Sequence, residues 1–176
     1  HSFPTRRSSD LLNGFTFSLD NGNGNYFEYN GIISGTGKVN IVGSPTYNTN
    51  DVVPLIISGN YSNTYVGPMT LMKGLLVLSK PINTMAITGD LIINNANKES
   101  VKWNNSYQMS SQSNITMLCN SGQLILNNCD ESINILSMVS GSGIDLGTGT
   151  LTVNKLIYNG IGFRQGIYNS SNKLTN

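Results

Sequence analysis

The sequence predicts an all-β fold, a β-solenoid in which short strands coil and stack on one another. Three observations predict it. Apolar and polar residues alternate over many short segments. A Gly-x-φ-x-φ motif, with φ aliphatic, recurs along the chain. Glycine and asparagine gather between those segments, where the chain must turn.

The alternation reads as strand. In "GFTFSL" it places Phe15, Phe17 and Leu19 on one face. In "GKVNIVG" it pairs Val39 with Ile41, and in "GTGTLTVN" Leu151 with Val153, with Thr150 and Thr152 opposite. A period of two belongs to the strand, whose successive side chains point to opposite sides. Helical spacing is nowhere sustained, and Gly, Asn, Ser and Thr are weak helix formers.

The glycine motif occurs at Gly37 (Val39, Ile41), Gly74 (Leu76, Leu78), Gly89 (Leu91, Ile93), Gly122 (Leu124, Leu126) and Gly149 (Leu151, Val153). Its intervals of 37, 15, 33 and 27 residues follow no strict period. "IISGTGKV" (Ile32–Val39) is echoed by "MVSGSGID" (Met138–Asp145), with Ser-Gly-x-Gly shared. Internal similarity of this kind points to stacked units. Glycine permits tight corners, and where coils stack their corners stack too, leaving no room for bulky side chains. Asparagine tolerates left-handed backbone, and stacked Asn side chains can bond one another as a ladder. The 26 asparagines fit that role, and AT-rich coding also raises their number. The competing fold is an antiparallel β-sandwich, which needs hairpin turns. "DNGNGN" (Asp20–Asn25) is the best candidate for one.

The chain of 176 residues is long enough for one domain with a real core. Only 11% of its residues are charged, so it is polar through amides and hydroxyls. Recurrent Ile, Leu, Val, Tyr and Phe argue against disorder. A formal charge of +1, without a basic cluster beyond Arg6-Arg7, implies no nucleic-acid partner. No apolar run reaches the ~18 residues of a membrane helix, so no membrane insertion is expected of this segment.

His1–Leu11, "HSFPTRRSSDL", contrasts with the rest of the chain: no Asn, no Gly, two adjacent arginines. It resembles the translation of a common short-read sequencing adapter. Residues 1–11 are therefore expected to be disordered and foreign to the fold, with a disordered basic arm as the alternative. Residues 12–176 are expected to be a partial domain, incomplete at both ends. Setting 1–11 aside leaves 8 basic and 8 acidic residues, formally neutral.

"LIISGNYSNTYVGPMTLMKGLLVLSK" (Leu55–Lys80) resembles the autotransporter-associated β-strand repeat, roughly L-x-L-x-G-x-N-T-Y-x-G-x-T-x-V-x-x-G-x-L-x-L. Leu55, Ile57 and Gly59 match its first strand and turn. Asn63, Thr64, Tyr65 and Gly67 match its Asn-Thr-Tyr-x-Gly centre, and Leu71, Gly74, Leu76 and Leu78 its last strand. The departures are two extra residues between Gly59 and Asn63, and Met69 where the family usually has Thr. "AITGDLIINNA" (Ala86–Ala96) and "GSGIDLGTGTLTV" (Gly141–Val153) are similar to segments found downstream of the repeat, so the resemblance spans about residues 32–154. It implies a right-handed parallel β-helix, the hand that parallel crossovers adopt in general. It also implies a structural passenger, stalk-like or adhesin-like, displayed at the bacterial surface or secreted. A C-terminal translocating barrel in the outer membrane would anchor it.

The chemical candidates are few. Gly35-Thr36-Gly37, Gly141-Ser142-Gly143 and Gly147-Thr148-Gly149 lack the downstream helix that a phosphate loop needs. Asp130-Glu131 are the only acids close in sequence, and adjacent strand residues face opposite sides, so they read as a solvated corner after Cys129. Stacking could bring distant acids such as Asp90 and Asp145 together. Asp145 alone among its glycines does not repeat as a calcium motif would. Cys119 and Cys129 sit half a coil apart and read as free thiols. The only histidine is His1, which leaves no zinc set. Trp103 reads as an ordinary strand residue, with sugar stacking as the alternative.

The expectation is therefore no enzyme: no catalytic residue, no metal ligand and no cofactor. A carbohydrate-active β-helix enzyme of lyase or hydrolase type, or a phage or fibre protein, is the alternative. Aliphatic runs leave Val77, Ile92 and Ile125 facing outward, a stripe for contact with another chain. The partners considered are host or surface glycans and proteins, or self-association through these exposed strand faces.

Overall fold

The computed structural model describes residues 10–11, 14–20, 27–43, 53–94, 99–163 and 165–169. Strands succeed one another coil by coil. The first coil holds β1 (Asp10–Leu11), β2 (Thr16–Asp20) and β3 (Phe27–Tyr29). The second holds β4 (Ile33–Gly35), β5 (Lys38–Val42) and β6 (Leu55–Ile57), and the third β7 (Thr64–Tyr65), β8 (Met69–Lys73) and β9 (Leu75–Leu78). Then come β10 (Leu91–Ile93) and β11 (Ser100–Trp103), β12 (Asn114–Met117) and β13 (Gln123–Ile125), β14 (Glu131–Met138) and β15 (Gly143–Asp145). β16 (Leu151–Tyr158), β17 (Ile161–Phe163) and β18 (Gly166–Tyr168) complete the series. Among the described residues there is no helix.

Strands from successive coils pair in parallel and form three faces. β1, β4 and β7 make the first face, which the parallel bridge Ile87–Met109 continues. The second face is a nine-stranded sheet containing β2, β5, β8, β10, β12, β14 and β16, with β17 and β18 beyond them. The third is β3, β6, β9, β11, β13 and β15. The chain is a parallel β-helix of about 6 turns.

The aliphatic pairs behind the glycines are the reason the coils stack. All ten aliphatic residues of the five Gly-x-φ-x-φ motifs are buried. On the second face Phe17, Val39, Met69, Leu91, Ile115, Leu136 and Leu156 align in register from coil to coil. On the third, Phe27, Leu55, Leu76, Val101, Leu124 and Ile144 do the same. The two columns belong to one continuous core. Each buried aliphatic contributes roughly 1.5–3 kcal/mol, and no coil can bury its own inner face alone. Phe15 departs from the expected alternation: it precedes β2 and is exposed.

The motif marks different corners in different coils. Gly37 and Gly89 lead into the second face, Gly74 and Gly122 into the third. Gly149 leads into the start of β16, where Glu131 N–H donates to Thr150 O in line with the first face. Its uneven spacing is a consequence, because it marks a corner rather than a particular corner. The Ser-Gly-x-Gly echo is likewise not a structural repeat. Gly37 leads into the second face, whereas its counterpart Gly143 opens the third. The segment Leu55–Leu78 forms one full circuit, from the third face through the first and second and back.

Corner asparagines do form a ladder. Asp90 Oδ1 accepts from the backbone N–H and the side-chain amide of Asn114, at 2.9 and 3.1 Å. Asn134 then donates to Asn114 Oδ1 at 3.1 Å, and Asn154 to Asn134 Oδ1 at 3.4 Å. These side chains are partly solvated, so each link is a modest contribution. Asn134→Ala removes two links and is expected to cost about 1 kcal/mol in chemical denaturation. A loss above about 3 kcal/mol would mean the ladder carries more than its hydrogen bonds.

Parallel coiling stops at the end of β16. Asn159 (φ 50°) and Gly160 (φ 78°) form a two-residue turn with both residues left-handed. β17 and β18 then run back antiparallel along β16. Asn-Gly is the strongest hairpin signal, and the pair in "YNGIG" forms one here. Residues 21–26 lie outside the described residues, and the strands flanking them, β2 and β3, belong to different sheets. Residues 1–9 of the adapter-like segment also lie outside the described residues, while Asp10–Leu11 pair with Ile33–Ser34.

Candidate functional site

The densest set of polar side chains lies inside the wall, at the corner between the third and first faces. It comprises Asn63, Lys80, Gln108 and Glu131, all fully or almost fully buried. Strand parity puts them there. Lys80 continues the inward series Leu76, Leu78; Glu131 precedes inward Ile133; Asn63 precedes inward Tyr65.

Each one joins coils where the backbone ladder has gaps. Asn63 Oδ1 accepts from Ile33 N–H at 3.0 Å, and its amide donates to Ala86 O at 2.7 Å, spanning three coils. Gln108 Oε1 accepts from Lys80 N–H at 2.9 Å, while Nε2 donates to Lys80 O at 3.0 Å. Lys80 Nζ donates to Ser58 O at 2.6 Å, Tyr61 O at 2.8 Å and Gly31 O at 3.5 Å. Glu131 Oε2 accepts from Gln108 N–H at 2.7 Å, Met109 N–H at 3.1 Å and Trp103 Nε1 at 3.0 Å. Its Oε1 accepts from Ser132 N–H at 2.9 Å. These contacts explain why the first face has few regular strands: side chains supply acceptors and donors that a neighbouring strand would otherwise supply.

Burial sets the electrostatics. It pushes the Glu131 carboxyl above its ordinary range, against the pull of its four N–H donors. It lowers the Lys80 ammonium to about 8. The unfolded chain therefore holds this proton up to about pH 10.5 while the folded chain releases it near 8, so stability rises with pH across that window. Cys119 and Cys129, whose thiols burial pushes up, act in the opposite direction at alkaline pH. The difference in unfolding free energy between wild type and Lys80→Met isolates the lysine. That difference is expected to rise in favour of wild type between pH 8 and 10.5, and a flat difference would refute the assignment.

This column is structural in its chemistry. Its groups are sealed from solvent, and their polar atoms are engaged with backbone. Among the described residues no three His, Cys, Asp or Glu side chains gather to hold a metal. A shallow groove of about 350 Å³ lies at the corner between the first and second faces, lined by Val66, Pro68, Thr88, Asp90, Ile92 and Gln112. Its one carboxylate is the base of the asparagine ladder.

Several sequence expectations are corrected here. Asp130-Glu131 is not a solvated corner: Glu131 points inward and is buried, and Asp130 is half-buried, its Oδ1 accepting from Thr150 N–H. Asp90 and Asp145 do not converge, because Asp90 leads into the second face and Asp145 lies on the third, where it accepts from Gly147 N–H. Val77, Ile92 and Ile125 do not form one stripe. Val77 and Ile125 share the third face with Lys102 between them, Ile92 is on the second, and Val77 is itself buried. Trp103 is fully buried and bonded to Glu131, which removes it from any sugar-stacking role. Cys119 and Cys129 are free, as expected, and both are buried.

No family profile, no curated protein and no solved structure matches this chain.

Proposed function

We propose that the chain is a structural display module: a passenger segment of autotransporter type, exported to the bacterial cell surface and without a catalytic site. The supporting observation is that the ionisable side chains of the buried column, Lys80 and Glu131, face the wall's own backbone rather than a cleft. A stack of this kind gains roughly 4.8 Å of length per coil. Each coil repeats the same aliphatic-pair logic, so reach comes without a new core design. The circuit Leu55–Leu78 adds its resemblance to the autotransporter-associated strand repeat.

The test is display. The chain is fused upstream of an outer-membrane translocating barrel, and intact cells are treated with external protease. Expected is an exposed passenger that resists cleavage within residues 53–163. Cleavage of neutral or acidic polysaccharides by the purified chain would instead favour the carbohydrate-active alternative.

A further inference from the structure

Outside the buried polar column, one surface pattern stands apart. Three successive turns stack at the corner between the third and first faces. Contacts tie them together: Lys80 Nζ to Tyr61 O, Met85 N–H to Ser62 Oγ, Asn105 Nδ2 to Lys80 O, and Asn104 Nδ2 to Ser79 Oγ. Each turn pushes one large apolar side chain into solvent: Tyr61 at 71% exposure, Ile82 at 60% and Tyr107 at 40%. They fall one to a coil, and Asn83 N–H donates to Ser106 O, so that Asn83 lies next to Tyr107 across the coils with Ile82 beside it in the chain. The two tyrosines are thus separated by two coil rises, roughly 10 Å.

Two further features point to a ligand. Tyr107 adopts φ 58°, a left-handed conformation that bulky residues rarely accept. Asparagine takes the same conformation readily, and Asn83 (φ 60°) does so in the turn above. An aromatic at such a position carries a backbone cost that asparagine there would avoid. The remaining exposed residues of these turns are Asn60, Pro81, Asn83 and Asn104, so the ridge carries no exposed charge.

We propose that this ridge binds an extended, neutral polysaccharide of β-1,4-linked pyranoses, lying along the solenoid axis. The sugar's apolar face stacks on the rings of Tyr61 and Tyr107, with Ile82 to one side, and its hydroxyls bond the neighbouring amides, Asn83 among them. An extended chain of this linkage presents the same ring face every second sugar, a repeat that matches two coil rises. The rim's lack of charge disfavours acidic polysaccharides and nucleic acids, which demand cations. A protein partner would find no hydrophobic core surrounded by a charged rim here. This inference does not require the chain to be a surface passenger.

The experiment is calorimetric titration of the purified chain with cellohexaose, with maltohexaose and hexagalacturonate as comparisons. Cellohexaose is expected to bind, and the other two at least tenfold more weakly. Tyr61→Ala and Tyr107→Asn should each weaken binding about tenfold, and the double variant should abolish it. Tyr107→Asn is the decisive variant because it keeps the left-handed turn. It should melt at or above the wild-type temperature while losing affinity, which a purely structural tyrosine would not do. Wild type that fails to bind cellohexaose at millimolar concentration, or equal affinity in the folded double variant, overturns the proposal.

Discussion

Gly67→Ala is expected to destabilise the protein by about 3–5 kcal/mol, enough to unfold a large share of a marginal domain. Gly67 sits at the corner between the first and second faces, and a Cβ there would land on the carbonyl of Gly37 in the coil above. Gly89 repeats the arrangement one coil below, where a Cβ would strike the carbonyl of Gly67. Neither obstacle is the end of a flexible side chain. Both are backbone, fixed by flanking pairs such as Val39 with Met69 and Met69 with Leu91. Relief would require prising neighbouring coils apart across both faces. The φ of Gly67 lies outside the left-handed region, so the penalty is one of space rather than of backbone conformation. Gly162→Ala is the control: the nearest atom to its Cβ would be Lys155 Cε at 3.4 Å, the end of a mobile side chain. It is expected to stay within about 0.5 kcal/mol of wild type. Urea denaturation of both variants decides the matter, and comparable stabilities would remove the stacked-glycine explanation of this corner.

The same corner shows what the sequence reveals and what it hides. The inward pairs are legible because strand parity holds within one face: Val39 with Ile41, Leu76 with Leu78 and Leu91 with Ile93 are all buried, whereas the alternation breaks where a strand rounds a corner, between Ile133 and Ile135 in β14 and between Val153 and Lys155 in β16. The coil length is not legible. Glu131 aligns with Leu151, 20 residues on, but Val39 aligns with Met69, 30 residues on. Loops between coils absorb the difference without disturbing the register of the strands, so no fixed period survives in the sequence. The outward residues mislead for the same reason. Val77 and Ile92 look like neighbours in kind, yet a corner intervenes and they belong to different sheets. Lys80 and Glu131 were readable by parity, and their charge argued against the reading. The physical reason for the exception is that the first face lacks continuous strands, so inward carbonyls and N–H groups there need side-chain partners. The exposed turns carrying Tyr61, Ile82 and Tyr107 are not legible as neighbours because which turns stack depends on the coil lengths.

Glu131→Ala is expected to be the most damaging substitution of an ionisable residue, at about 4 kcal/mol or more. The carboxylate serves four donors: Trp103 Nε1 and the N–H groups of Gln108, Met109 and Ser132. Truncation leaves these donors in a sealed interior, and each unsatisfied buried group costs roughly 1–3 kcal/mol. The cavity adds to the loss, since the Trp103 ring loses its anchoring partner and cannot turn to water. Glu131→Gln separates charge from geometry. A glutamine oxygen placed where Oε2 stands can still accept from Trp103, Gln108 and Met109. Its amide would then face the N–H of Ser132, donor against donor. The expected loss is therefore smaller than for alanine, about 1–2 kcal/mol. The glutamine variant should also lose the wild type's fall in stability as pH rises above the ordinary glutamate range, because burial holds the Glu131 proton more tightly in the folded chain than in the unfolded one. If alanine and glutamine variants prove equally stable, the carboxylate is not bridging the coils, and the sparse strands of the first face must be held by packing alone.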